Sequence, residues 1–301
     1  MTVRSASAPP RVIAGCAGVW LVVVTVYTAA QPLNVTVSHH ARGVFPGEAV
    51  LLRVEASGPL TEVRGTAFDR TVRFYQAANG VWQGLVGIDL LVEPGRYDVA
   101  LRIVPAPPAN GATIERVYTL SVEHKAYRTR QLTVAPRYVE PPPEVSERIA
   151  REAQQQRAIF ATATAERLWR GSWRRPVAGR ATSAFGSRSV FNGQPRSPHS
   201  GADFRAAEGT PVTAPNVGRV VLTGDTYFSG GSVILDHGWG LYSYFAHLSA
   251  ILVEEGDLVA PGQVVGHAGA TGRVTGPHLH WTLRLNGARV DPLSLIDILD
   301  N

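Results

Sequence analysis

Apolar residues recur at every second position through two long stretches of this chain, and that period-two alternation limits most of it to β-structure. Val50, Leu52, Val54 and Ala56 share one face of an extended segment, with Arg53 and Glu55 on the other. Tyr97, Val99, Leu101 and Ile103 repeat the pattern against Asp98 and Arg102. Turn signals separate the runs at Pro46-Gly47, Asn79-Gly80, Pro94-Gly95 and Asn110-Gly111. Short strands at this spacing over residues 32–135 predict a β-sandwich of about seven strands, similar to an immunoglobulin-like fold. Nothing in this stretch forms a chemical constellation. His39 and His40 are adjacent, would point to opposite faces of a strand, and are read as loop residues. The module reads as a spacer or binding domain.

Pro141-Pro142-Pro143 stops the strands and can pre-set the first turn of a helix. Residues 144–169 contain neither Gly nor Pro, and Val145, Ile149, Ala153 and Gln156 follow a helical period loosely. A linker helix within residues 136–172 is expected to join the two halves. Arg167, Arg170, Arg174 and Arg175 cluster at its end and are read as a solvated junction.

The chain has 301 residues, enough for two modest domains, with a hydrophobic fraction of 45% and a formal charge of +5. Lys125 is the sole lysine. The modest, dispersed positive charge favours anionic partners such as cell-wall polymer, a membrane surface or nucleic acid. Aromatic-basic repeats of the kind that hold single strands are missing, so nucleic acid is not an expected partner. Arg4 and Arg11 precede an apolar run over residues 12–30, and Thr28-Ala29-Ala30 supplies small residues before Gln31-Pro32. That order is the order of an export signal. The run is also nearly as long as the roughly twenty apolar residues a membrane span needs. Residues 1–30 are therefore read as a signal peptide or membrane anchor, with the remainder exported to the periplasm or cell envelope. Ile13-Ala14-Gly15-Cys16 also resembles a lipoprotein signal box, although the apolar stretch lies mostly after Cys16. Cys16 is the sole cysteine, so any metal must be held by imidazole and carboxylate.

From residue 173 onward strands and glycine turns recur, and the polar residues among them carry the chemistry. In Gly276-Pro277-His278-Leu279-His280-Trp281 the two histidines are two apart, so both enter one groove if the segment is a strand. His199 and Asp203 are four apart in His199-Ser200-Gly201-Ala202-Asp203 and can reach one point, with Gly201 allowing close backbone approach. Two histidines and one carboxylate are a sufficient ligand set for zinc and leave a fourth position open for water. A third segment, Tyr244-Phe245-Ala246-His247-Leu248-Ser249, sets another histidine inside an apolar strand pattern.

Together these segments resemble the lysostaphin/LytM family of zinc metallopeptidases, peptidase family M23. Gly209-Thr210-Pro211-Val212, Gly218-x-Val220, Gly256-Asp257-x-Val259, Gly269-x-Thr271-Gly272, Asn286-Gly287 and Asp291-Pro292 extend the resemblance over about residues 173–295. It implies that His199, Asp203 and His280 are the zinc ligands and that His247 and His278 are the non-ligand histidines of the active site. It implies a mainly β chain, with an N-terminal β-sandwich, a linker helix, and a C-terminal all-β peptidase domain of the LytM/lysostaphin type over residues 173–301. Trp281 stands where a smaller aromatic is usual, and the long stretch from Arg188 to Pro198 is expected to wall the groove. The implied activity is a zinc metalloendopeptidase cutting peptide bonds in the stems or cross-links of peptidoglycan. The competing expectation is a non-catalytic LytM-like protein that binds wall or activates an amidase.

Overall fold

In a computed structural model, which describes residues 2, 33–107, 112–134 and 141–299, the alternation resolves into strands almost throughout. The apolar run 12–30, Cys16, the Asn110-Gly111 turn and residues 135–140 lie outside the described residues. The first seven strands are β1 (Val35–His40), β2 (Ala49–Ala56), β3 (Leu60–Ala67), β4 (Arg70–Gln76), β5 (Trp82–Gly87), β6 (Gly95–Pro105) and β7 (Ile114–Val122). They pair in the order β1-β2-β5-β4-β3-β6-β7. β4 bridges the two halves of this ladder, pairing with β3 through Arg70–Arg73 and with β5 through Phe74–Gln76. Val50, Leu52, Val54, Val99, Leu101, Ile103 and Leu120 share one core between the halves. His39 and His40 end strand β1 and do not lie in a loop; His39 Nδ1 meets the Tyr118 hydroxyl at 2.5 Å.

The second face of β2 departs from simple alternation. Ala49 and Leu51 are as buried as Val50 and Leu52. They join a different core, made of Phe204, Phe245, Trp281, Leu285 and Leu295 from the C-terminal half. Leu33–Asn301 accordingly forms one compact unit. Polar contacts lock the same junction: the Ala49 N–H donates to Ser294 Oγ at 2.8 Å, and Arg289 reaches both Asp89 oxygens. Glu48, 1% exposed, is paired with Arg42 and Lys125, and Arg42 continues to Asp291.

A short strand β8 (Thr129–Leu132) and helix α1 (Ser146–Phe160) follow. The helix stops nine residues short of Trp169. Thr162 Oγ1 donates to the Ile159 carbonyl and meets the Tyr242 hydroxyl at 2.7 Å, a local bond that competes with continued helix. Arg170, Arg174 and Arg175 are exposed, whereas Arg167, beyond the helix, is half-buried. Its guanidinium carbon sits 3.7 Å from the centroid of Tyr75 and 4.7 Å from that of Trp169.

The C-terminal half comprises β9 (Ala181–Ser183), β10 (Arg188–Phe191), β11 (Gln194–Pro195), β12 (Gly201–Arg205), β13 (Pro211–Thr213), β14 (Gly218–Thr226), β15 (Gly230–Asp236), β16 (Leu241–Ile251), β17 (Leu258–Val259), β18 (Val264–Ala268), β19 (His278–Leu285), β20 (Ala288–Val290) and α2 (Pro292–Leu299). Its main sheet runs β17-β14-β15-β16-β19-β12-β9. One face of β16, β19 and β12 sends Phe245, Leu279, Trp281, Leu283 and Phe204 into the core. The opposite face carries the polar residues. Trp281 is fully buried, stacked at 18° on Phe245, so the larger aromatic fills the core beneath the site. The Arg188–Pro198 stretch contains the β10–β11 hairpin, and β10 pairs in parallel with β8, so the chain leaving the sandwich braces it.

Candidate metal centre

Three ligand atoms converge on the polar face of β12 and β19. Asp203 on β12 is the direct cross-strand partner of His280 on β19. Phe204 and Trp281, the next residues on each strand, are buried in the core, so Asp203 and His280 must point the other way. His199 reaches in from the segment before β12. His280 Nδ1 lies 2.8 Å from Asp203 Oδ1; His199 Nε2 lies 3.1 Å from the same oxygen and 3.0 Å from His280 Nδ1. The approach is tight because Gly201 has no side chain: a β-carbon there would lie 2.6 Å from the Trp281 carbonyl and 2.8 Å from the His280 ring.

The outer nitrogens decide what these atoms offer. His199 Nδ1 faces the Ala184 carbonyl at 3.3 Å, and a carbonyl only accepts, so Nδ1 carries the proton and Nε2 presents a lone pair. His280 Nε2 faces the Thr282 hydroxyl at 2.9 Å, which can accept its N–H and leave Nδ1 bare. Two imidazole lone pairs and a carboxylate oxygen then face one another within 4.8 Å. Such a cluster repels itself unless a cation sits among the three. The donor set of two nitrogens and one oxygen fits a first-row divalent ion with an open fourth position. Burial alone would raise the Asp203 carboxyl, but His199 and His280 hold it far below the usual carboxylate range. Burial works against a charge on His199, and Asp203 more than offsets it; burial lowers His280.

The other two histidines stand beside this cluster in a matched arrangement. His278 Nδ1 donates to the Gly276 carbonyl at 2.9 Å and His247 Nδ1 to the Thr271 carbonyl at 3.0 Å. Each therefore presents Nε2 with a free lone pair. His278 Nε2 lies 3.8 Å from Asp203 Oδ1, and the His247 ring is 4.7 Å from that of His278. Burial, with the neighbouring imidazoles, pushes His247 down to about 4, so it is neutral at pH 7.

His247 reaches the site through a break in strand alternation. Tyr242, Tyr244 and Ala246 share the polar face of β16, whereas Leu241 and Phe245 enter the core. Strict alternation would send His247 into the core after Phe245. Instead β16 carries one extra residue against β15: Val233 pairs with Phe245, but Gly231 pairs with Leu248. The bulge turns His247 outward with φ of 66°, a left-handed conformation that a non-glycine residue adopts at a cost of about 1 kcal/mol or more.

All five histidine and aspartate positions singled out from sequence thus lie in one place. Ala184 had no sequence signal; Thr271 and Gly276 lie in the Gly269-x-Thr271-Gly272 and Gly276-Pro277-His278 motifs, but that their carbonyls face the imidazoles is visible only in the structure. Thr282 had a signal: it stands two residues after His280 on the same strand face.

The sequence profile of peptidase family M23 matches residues 197–292. The peptidoglycan DD-endopeptidase ShyA of Vibrio cholerae is 44% identical over 96 residues, which are 32% of this chain and 22% of that protein. The DD-carboxypeptidase/endopeptidase Mpg of Neisseria meningitidis serogroup B is 43% identical over 97 residues, 32% of this chain and 22% of its own length. The chain therefore spans about a fifth of the length of these curated relatives. The crystal structure of a Pseudomonas aeruginosa protein assigned to the M23 peptidases is 34% identical, covers 85% of this chain and 96% of its own, and superposes with a TM-score of 0.66.

Proposed function

This chain belongs to peptidase family M23, and on that premise we propose that it is an exported zinc metalloendopeptidase that hydrolyses peptide bonds in the stems or cross-links of peptidoglycan. The observation that carries the reading is the pairing of a three-ligand cluster with two carbonyl-anchored imidazoles. A cluster that only bound metal would need neither His247 nor His278. In this reading zinc is held by His199, Asp203 and His280, and supplies a Lewis acid that polarises a carbonyl and lowers the pKa of water. Asp203 offsets part of the ion's charge, while the Ala184 carbonyl and the Thr282 hydroxyl hold the ligand rings in orientation.

His247 and His278 do the proton work. Each offers a bare Nε2 toward the cluster, and His247 stays neutral at pH 7. One ring takes a proton from the attacking water at Nε2, and the imidazolium formed returns a proton to the leaving amine. The second ring donates to the oxyanion that develops on the carbonyl oxygen only when Nε2 is also protonated, that is, as the imidazolium. The carbonyls of Thr271 and Gly276 hold the Nδ1 proton on both rings, so that Nε2 is the atom that takes up and gives back a proton.

Residues 32–135 act in this reading as a spacer that carries the peptidase, residues 136–172 as the linker and residues 173–301 as the catalytic part. The apolar run 12–30 behind Arg4 and Arg11 supports export, with the enzyme in the periplasm or held at the envelope by that run. The name of ShyA, a peptidoglycan DD-endopeptidase, supports the substrate class, and the endopeptidase in the name of Mpg supports the reaction.

Digestion of purified sacculi by the zinc-loaded full chain tests the reading. Soluble muropeptides of masses that reflect a cut peptide bond are expected, with none after chelation. Zinc bound without any release of muropeptides would leave the chain as a non-catalytic wall-binding or amidase-activating protein.

A further inference from the structure

The β12–β19 ladder places a second polar pair next to the ligands. Asp203 lies opposite His280, and two residues on, Arg205 lies opposite His278. Residues two apart share a strand face, so Arg205 stands on the face of Asp203, while Phe204 between them is fully buried in the core. Directly paired residues bring their β-carbons to about 5 Å. Arg205 is thus one cross-strand step from a proton-handling imidazole. It is exposed and makes no hydrogen bond or ion pair among the described residues.

The rest of this face is partly covered. Helix α1 lies over β14 to β16. Arg148 pairs with Asp225 at 2.9 Å, the Tyr227 N–H donates to Glu152, Gln156 reaches the Tyr244 hydroxyl, and the Phe160 ring is 5.7 Å from that of Tyr242. Tyr244 is the cross-strand partner of Thr282, so the covered area ends beside the metal ligands. The side of the cluster left open by the helix is the face of β19 and β12, which carries Arg205. Two more arginines sit on the segments leading to His199 and His278, each over an aromatic ring: Arg196 is 5.7 Å from the centroid of Phe191 and Arg273 is 4.3 Å from that of Phe228.

On the reading that the site cuts wall peptides, we infer that Arg205 is a specificity-determining residue that binds a carboxylate carried by the substrate within one or two residues of the scissile bond. A guanidinium matches a carboxylate with two parallel N–H donors, a geometry neither lysine nor an amide reproduces. The substrate class follows: stem peptides whose residue next to the cleaved bond keeps a free carboxyl, in preference to the same peptides with that carboxyl amidated.

The test uses the zinc-loaded full chain with a cross-linked muropeptide dimer and the same dimer amidated by carbodiimide and ammonia. The wild type should show kcat/KM about ten- to a hundredfold higher on the acid form, the range for a hydrogen bond to a charged group. Arg205→Gln should bring the ratio of acid to amide close to one, Arg205→Lys should leave it intermediate, and both should bind zinc as the wild type does. A wild-type ratio near one overturns the inference and leaves the peptidase reading standing; the wild-type measurement needs no variant to fold. A wild-type ratio kept by Arg205→Gln also overturns it. Failure of the wild type to cut either dimer overturns both.

Discussion

His247 and His278 face one another with ring centroids 4.7 Å apart, and each is anchored at Nδ1 by a main-chain carbonyl from the same segment, Thr271 for one and Gly276 for the other. One short loop therefore sets the tautomer of both imidazoles. Replacing either ring should leave the ligands in place and remove only proton handling. His247→Ala and His278→Ala are each expected to retain zinc and to lose about 10² to 10⁴ in muropeptide release. Metal content and release measured on the same preparation check this, and full turnover in either variant would falsify that residue's role.

His280 behaves differently, because its Nδ1 lies 2.8 Å from Asp203 Oδ1 and 3.0 Å from His199 Nε2. His280→Ala should lose zinc and activity together. Thr282→Val keeps the ligand but removes the oxygen behind its Nε2, and should weaken zinc affinity by about 10- to 100-fold. Competition against a chromophoric chelator measures both; unchanged affinity in Thr282→Val would show that the hydroxyl does not orient the ring.

His237 is fully buried away from the metal centre, with Nδ1 donating to the Val217 carbonyl at 2.7 Å and Nε2 at 2.9 Å from Ser243 Oγ. Burial lowers it to about 4 from 6.5. Its folded pKa is depressed, so the unfolded chain takes up the proton first as pH falls. Stability should therefore decline as pH drops from about 6.5 to about 4, by up to about 3 kcal/mol, and be insensitive to this group above that window. Urea unfolding at several pH values, on the wild type and on His237→Asn, isolates the contribution; identical pH slopes in the two would remove His237 as the cause.

Asp89 accepts from the Arg289 side chain and backbone, joining the sandwich to the C-terminal half. Burial would raise its pKa, but the Arg289 hydrogen bonds bring it down to about 2 from 3.8. This is a depressed carboxyl, so its stabilisation is present above about pH 4 and is lost as pH falls toward 2. Asp89→Asn should lower stability at pH 7 by about 1 to 2 kcal/mol after allowance for partial exposure. The gap from wild type should close through that acid window. A gap that stays constant from pH 7 to 3 would point to packing instead of charge.

How much of this was legible in the chain differs from residue to residue. His278 and His280 were assigned to one face because alternation is a local rule, and β19 obeys it. Thr282 obeyed the same rule and was readable, though its role needed the His280 ring to be placed. His247 was recognisable by motif only. Its face depends on one extra residue in β16 relative to β15, and a bulge is a relation between two strands. Alternation sets Leu51 on the same face of β2 as Arg53, yet Leu51 is buried, because the C-terminal half covers that part of the face. The linker helix expected within residues 136–172 ends at Phe160, where Thr162 and the aromatic pocket for Arg167 outweigh a weak helical period.

The sequence by itself determined a mainly β chain, the membership of His199, Asp203, His247, His278 and His280 in one site, and the two-nitrogen, one-oxygen donor set. The strands and the donor types follow from residue type and short spacing, which the chain carries locally, and the grouping of the three segments follows from the resemblance of their motifs to peptidase family M23. Tertiary structure decided the rest: which nitrogen of each ring is free, which way His247 turns, that β2 serves two cores, and that Arg205 stands beside His278. Each of those depends on strand register or on a carbonyl delivered by a distant loop, and neither is set until the strands have paired.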